Sequence, residues 1–222
     1  SSRLHMPKFR KTPIDAIKEL FQKTAWRDLS HLNIEDDAIV WDFEYMLEIL
    51  YLFKNCAGSA STFSLENGID YRALNKEKIK ALANLGLSKL NIALVSIDNT
   101  ILKRYNRSGS IENFMEVVES AHLHKISITA YLIAGLKGDS FNIVRRGLEF
   151  LSTLPVLIGI SPFYPVPGIQ DFEDLSLFDA IHPRLCAGSS FFAWHDMSTE
   201  ELIEIFCESR KINLERRNTQ IK

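Results

Sequence analysis

Cysteine is scarce in this chain. There are three in 222 residues, Cys56, Cys186 and Cys207, well apart and with no Cys-x-x-Cys pair. That excludes a disulfide-stapled scaffold, and an odd, sparse set fits a reducing cytoplasm, with the three read as structural thiols. Long apolar runs are also absent. None approaches the ~20 residues needed to span a bilayer, and the polar stretch 1–10 does not read as a secretory leader. A cytoplasmic protein without membrane contact is expected. Neither sign of charge dominates, with 26 basic and 28 acidic residues and a net charge of −2. A duplex-binding protein usually shows a basic excess, so nucleic acid is not indicated. His-Glu-x-x-His, Gly-x-Gly-x-x-Gly and the Walker loop are all missing.

What is present is a repeated unit: a short apolar strand, a polar or glycine-rich exit, then an amphipathic helix. The strands are expected at Leu29–Ile34, Thr62–Leu65, Leu90–Leu94, Ile126–Ile133 and Val156–Ile160. Their exits are Glu35-Asp36-Asp37, Glu66-Asn67-Gly68, Ser96-Ile97-Asp98, Gly135-Leu136-Lys137-Gly138 and Ser161–Gly168. A spacing of roughly 30 residues is that of a βα repeat. Parallel strands joined by helices put every exit on one rim, where ligands bind in α/β folds. The strands show few alternating polar positions, the pattern of strands buried on both faces.

Helix boundaries are legible from their caps. Thr12 is expected to cap a first helix with Pro13 at its first position. Asp42 opens a second helix, Asn75 a third with Gly86 just past its end, and Asp98 a short one. Ser110 opens the next, and Asp139 or Ser140 the one after. Residues 1–168 show no internal linker. The segment 169–222 differs: it is irregular and aromatic until Ser198-Thr199-Glu200-Glu201, a capping box, opens a final helix. It is expected to be a lid or packing extension of the same domain.

Three exits carry chemistry. Glu35-Asp36-Asp37 sets three mutually repelling carboxylates at a strand exit, suited to a metal or an ammonium group; an exposed turn before a helix N-terminus is the alternative. Gly135-Leu136-Lys137-Gly138 lets backbone approach a ligand closely, or is a plain tight turn. Ser161–Gly168 holds three prolines, stiff enough to set an aromatic ring against a ligand, or a rigid crossover. In Trp194-His195-Asp196 the acid is placed to orient the imidazole, or the three form a turn.

The ordered series LNIEDD, SLENGID with YRALNKEKIKALANLG, KLNIALVSIDNTILKRYNR, ITAYLIAGLKGDS, IGISPFYPVPGI and AWHDMSTEELIEIF resembles the radical S-adenosylmethionine (SAM) enzymes. The likeness is to Fe–S oxidoreductase-like members related to cobalamin-associated ones, and covers nearly the whole chain. It implies an α/β fold, a partial (β/α)6 barrel lacking its first strand. The incomplete barrel would span 1–168 and a C-terminal helical extension 169–222. It implies SAM and a [4Fe–4S] cluster as cofactors, with cobalamin as a further one. The family's Cys-x-x-x-Cys-x-x-Cys loop supplies the thiolates that hold the cluster, and residues 1–28 contain no cysteine. The chain is therefore expected to be a fragment beginning after that loop and inactive alone, or to carry a short scar before a start at Met6.

By resemblance, one of Glu35, Asp36 and Asp37 takes the SAM amino group, and Arg107 pairs with its carboxylate. Tyr131, Gly135 and Tyr164 flank the adenosine, while Ser64, Asn67 and Ser96 face the same rim. Val95 stands where relatives often carry a SAM-holding Glu. Two other readings compete: a cluster-free barrel that binds a small molecule or a protein, and a metal-assisted hydrolase using Asp36 and Asp37. A small-molecule substrate is expected. An unpaired strand edge at Leu29–Ile34 predicts a homodimer or aggregation through it.

Overall fold

Each helix begins where something replaces its missing backbone partners. Asp42 accepts from Tyr45 N at 3.1 Å and opens α2 (Phe43–Ala57). Asn75 accepts from Lys78 N and opens α3 (Lys76–Asn84). Asp98 accepts from Thr100 N and Ile101 N at the head of α4 (Asn99–Arg104). Ser110 caps α5 (Ile111–Leu123), and Ser140 rather than Asp139 caps α6 (Phe141–Ser152). The first helix departs from expectation. α1 spans Ile14–Lys23, and Pro13 O, not a Thr12 cap, receives its first bonds. The Thr12 carbonyl instead accepts from the Tyr45 hydroxyl, 2.8 Å away.

The computed structural model describes residues 10–23, 29–168, 172–173 and 176–220. Its sheet has five parallel strands in the order β1 (His31–Ile34), β2 (Thr62–Ile69), β3 (Leu87–Val95), β4 (Ser127–Ala134) and β5 (Leu157–Pro162). Helices fall between consecutive strands. Sequence order is spatial order, as in a partial barrel of βα units. Among the described residues no helix is long and apolar enough to cross a membrane.

The expectation of strands buried on both faces holds in part: β2 and β3 bury consecutive residues, Phe63–Leu65 and Leu90–Ile92, while β1, β4 and β5 alternate. Leu32 and Ile34, Phe63 and Leu65, Leu90 and Ile92, Ile128 and Ala130, and Ile158 and Ile160 point to one face and join the main core. Residues between them, His31, Asn33, Ser64, Lys89, Asn91, Thr129, Tyr131 and Gly159, share the other face. Helices pack against the first, and the C-terminal helix also borders the second beside Tyr131 and Gly159. Side chains of a strand alternate with a period of two, so one face is oil and the other is polar. β2 also runs past Leu65. Its partners shift from Leu65↔Leu90 to Ile69↔Ile92, so extra β2 residues, Glu66–Gly68, bulge from the ladder. Gly68 has φ +67°, a conformation that a β-carbon disfavours.

The C-terminal segment adds a short α7 (Leu177–Ala180) and the long α8 (Thr199–Gln220). Its capping box forms as expected: Glu201 N donates to Ser198 Oγ at 3.2 Å, and Ser198 N donates to Glu201 Oε2 at 2.8 Å. α8 packs against β5 and α6. Asn213 meets the outer edge of β5 as a strand would, its Oδ1 accepting from Ile158 N at 2.9 Å and its Nδ2 donating to Ile158 O at 2.8 Å. Arg216 donates to the carbonyls of Leu151, Ser152 and Val156, closing the C-terminal end of α6.

Candidate functional site

The exits lie along the C-terminal rim, and hydrogen bonds on the polar face organise its first two strands. His31 bridges Thr62 Oγ1 at 2.8 Å and Ser64 Oγ at 2.9 Å. Ser64, fully buried, donates to Asn33 Oδ1 at 3.0 Å, and Asn33 Nδ2 donates to the Glu35 carboxylate. The β2 bulge turns Asn67 toward β1, where its Nδ2 donates to Glu35 O at 2.6 Å. Glu35 is thus fixed through side chain and backbone. Asp36 folds into an Asx turn, accepting from Ala38 N at 2.9 Å. All three acids are exposed. Farther in, Lys89 pairs with Glu66 and holds that carboxyl below its ordinary value.

The expected residues do not all converge. Arg107 Nη1 sits 3.0 Å from Asp70 Oδ2, in a network that pattern reading missed. Arg72 binds the same carboxylate through Nε at 2.8 Å and Nη2 at 2.6 Å. Burial works to raise the Asp70 carboxyl, but the bonds and charge of Arg72, with the charge of Arg107, outweigh it and hold it low. Arg107 remains 45% exposed. Ser96 is buried, and its Oγ accepts from Asp98 N at 3.1 Å. Before it, Ser96 N donates to Leu94 O across Val95, whose φ is +72°. This is a strained γ-turn at a β-branched residue, and it turns Val95 into a small apolar cluster with Ile101, Leu102 and Leu136.

Gly135 N donates to Asp139 Oδ2 at 3.1 Å. Asp139 is 3% exposed; burial pushes its pKa up to about 7, against bonds from the Gly135, Ser140 and Leu136 amides. Asp196 does not orient His195. Its Oδ2 accepts from Gly138 N at 2.9 Å, tying the tail to the glycine loop, while His195 stacks on Phe163 with ring centroids 5.3 Å apart. Tyr131 lies across Gly159, where a β-carbon would come within 2.4 Å of the ring. Tyr164 rests beside Gly188 in the same way, 3.2 Å from the β-carbon position. A cavity of about 600 Å³ opens between Asp98, Arg104, Lys137 and Asp196. Another of about 300 Å³ lies between Tyr131, Gly159 and α8. Of the residues expected to hold SAM, Tyr131 alone lines either one, while Asp98, Lys137 and Gly138 of the strand exits line the larger.

The rim from the β1 exit to the end of α6 decides the kinship. Residues 37–151 match the Radical SAM superfamily. The chain belongs to that superfamily. Over 75% of its length it is 27% identical to bacteriochlorophyllide d C-12(1)-methyltransferase of Chlorobaculum tepidum, and it spans 37% of that relative. The fold is similar to coproporphyrinogen III oxidase of Escherichia coli, a radical SAM enzyme, with a TM-score of 0.61 at 15% identity. That match covers 88% of this chain and 45% of the other. It is also similar to TsrM of Kitasatospora setae, a radical SAM methyltransferase solved with cobalamin and a [4Fe–4S] cluster. There the TM-score is 0.55 at 13% identity, covering 67% of this chain and 30% of TsrM.

Membership of the radical SAM superfamily implies SAM and a [4Fe–4S] cluster. The exposed acids and the half-exposed Arg107 carry the signs of charge that the ammonium and carboxylate ends of SAM call for. The cysteines do not fit the cluster: among the described residues no three His, Cys, Asp or Glu side chains gather to hold a metal, and Cys56, Cys186 and Cys207 lie on separate elements. The same observation weighs against a hydrolase metal at Asp36 and Asp37.

Proposed function

We propose that this chain forms the SAM- and substrate-facing part of a radical SAM enzyme, and that alone it does not cleave SAM. The match over 37–151 carries the reading; the polar face of the sheet supports it. The chemistry such cofactors supply is reductive cleavage of SAM, and the protein positions and shields it. Glu35, Asp36 and Asp37 offer carboxylates to the ammonium group, with Glu35 set by Asn33 and Asn67. Arg107 offers its guanidinium to the carboxylate while anchored on Asp70. Tyr131, Gly135 and Tyr164 flank the adenosine, and Ser64, Asn67 and Ser96 support the rim. Cobalamin use is part of the proposal, after the cobalamin-bound neighbour and the methyltransferase relative.

The test is iron and sulfide content with an absorption spectrum after anaerobic reconstitution, on this chain and on a fusion that adds a Cys-x-x-x-Cys-x-x-Cys loop. A cluster is expected only in the fusion. SAM cleavage by the unmodified chain would overturn the reading. The scattered cysteines favour a second reading, a cluster-free binding module; a ligand bound with no cluster in either form would establish it.

A further inference from the structure

The smaller cavity, about 300 Å³, owes its floor to a glycine. That floor is two cross-strand pairs of β4 and β5, Thr129↔Leu157 and Tyr131↔Gly159. Gly159 has no left-handed φ to account for it. A glycine inside a strand weakens it and often marks a close approach. Here it lets the Tyr131 ring lie down on the sheet, since a β-carbon would come within 2.4 Å of that ring. The wall is one stripe of α8: Phe206, Ser209, Arg210 and Asn213 all line the cavity at helical spacing. Asn213 bonds both backbone groups of Ile158 and so fixes that wall against β5.

The chemistry of the lining is one-sided. Tyr131, Phe206 and the 49% exposed Leu157 supply apolar surface. Ser209 and Asn213 already donate to the carbonyls of Phe206 and Ile158. Arg210 is exposed, is the one charged residue among the described lining, and makes no ion pair with a described residue. Lys89 and Arg107, by contrast, pair with Glu66 and Asp70. The Thr129 and Tyr131 hydroxyls likewise have no hydrogen-bond partner among the described residues. The side chains left over can each donate, one of them is cationic, and no acid of the described lining opposes it. The volume lies at the low end for small-molecule sites. It is the space of about ten waters, enough for one fused ring system and a small anionic group.

We infer that this cavity binds a flat aromatic carboxylate, with its ring against Tyr131 and its carboxylate on Arg210. A guanidinium is suited to that anion because its donors match the two oxygens. The inference deepens the radical SAM reading and rests on it only in calling this molecule the substrate. Tyr131 serves both proposals, with the adenosine assigned to the exit side of its ring and the substrate to the α8 side.

The probes are naphthoate and the corresponding naphthamide, alike in shape and different in charge, titrated into the intact chain and followed by 15N NMR. Both shift the backbone amides of Gly159 and Ser209. Naphthoate binds about tenfold more tightly, the worth of one charge-assisted hydrogen bond. Arg210→Met brings naphthoate down to the level of naphthamide, and Arg210→Lys restores part of the difference. Equal affinities for the two probes, binding of neither, shifts that fall outside the cavity, or a preference that survives in Arg210→Met would overturn the inference. The contrast between the probes on the unmodified chain decides the matter even if a variant fails to fold. Naphthoate binding needs neither iron nor SAM, so cluster content and SAM cleavage report on the radical SAM reading separately.

Discussion

The two edges of the sheet are finished differently. At β5, Asn213 supplies a donor and an acceptor where a neighbouring strand would, and Arg216 closes the end of the adjoining helix. At β1, no described residue forms a ladder on the outer side. An edge strand is a template for pairing with other chains unless it is covered or charged. One side of this fold is completed by its own tail, through part-buried polar side chains, while among the described residues nothing pairs with the outer edge of the other.

The finished side is where the largest effects are expected. The glycine loop on which the tail rests, through Asp196 and Leu202, is held by Asp139. A folded-state pKa raised from 3.8 to about 7 means that the folded chain keeps a proton the unfolded chain has lost. The stability that Asp139 contributes is therefore full below about pH 4 and is lost as pH rises through about 7. The fall is about 4 kcal/mol, and urea unfolding across that range measures it. Asp139→Asn flattens the profile; an unchanged slope would remove Asp139 from this role.

Arg216→Met strands carbonyls of α6 and β5 and is expected to cost about 3 kcal/mol in urea unfolding. Asn213→Ala is milder, about 1–2 kcal/mol, and opens the β5 edge. Its signature is a rise in self-association, read by sedimentation velocity. If neither variant changes stability, the two edges do not differ in the way described. The smallest effect is on the unfinished side. We propose that the chain forms a homodimer through β1. Leu29, 38% exposed beside that strand, becomes a gatekeeping charge in Leu29→Lys. The dimer weakens with little change in stability, within about 0.5 kcal/mol. An unmodified chain that stays monomeric at high concentration would end that proposal.

Local chemistry was readable in the sequence. Asp42, Asn75, Asp98, Ser110 and the Ser198 box cap the helices expected of them, because a cap acts over three residues. The βα repeat and the family likeness followed from order and spacing. The alternation of the strands was also present in HLNIE and SITAYLIA, yet was read as apolar runs, since each polar residue looks isolated until its cross-strand partner is known. Arg107 was assigned by likeness; its bond to Asp70 joins residues far apart in the chain, and no local pattern reports it. Asp139 looked like a cap candidate and proved a buried acid, because the fold rather than the neighbouring residues sets its solvation. The β2 bulge was foreshadowed only by Gly68, read as part of an exit.

Asn213 has one more consequence. A sheet is in effect a polymer of strands, and its ends need not be equivalent. Here a side-chain amide takes the position of the next monomer at β5 and terminates addition there. Among the described residues nothing caps the β1 end in this way, so we expect a further strand, from whatever polypeptide supplies it, to add there. On that expectation assembly of this fold has a direction, and complementation by an added segment should be sensitive to changes at His31–Ile34 and indifferent to changes at Asn213 that keep its amide.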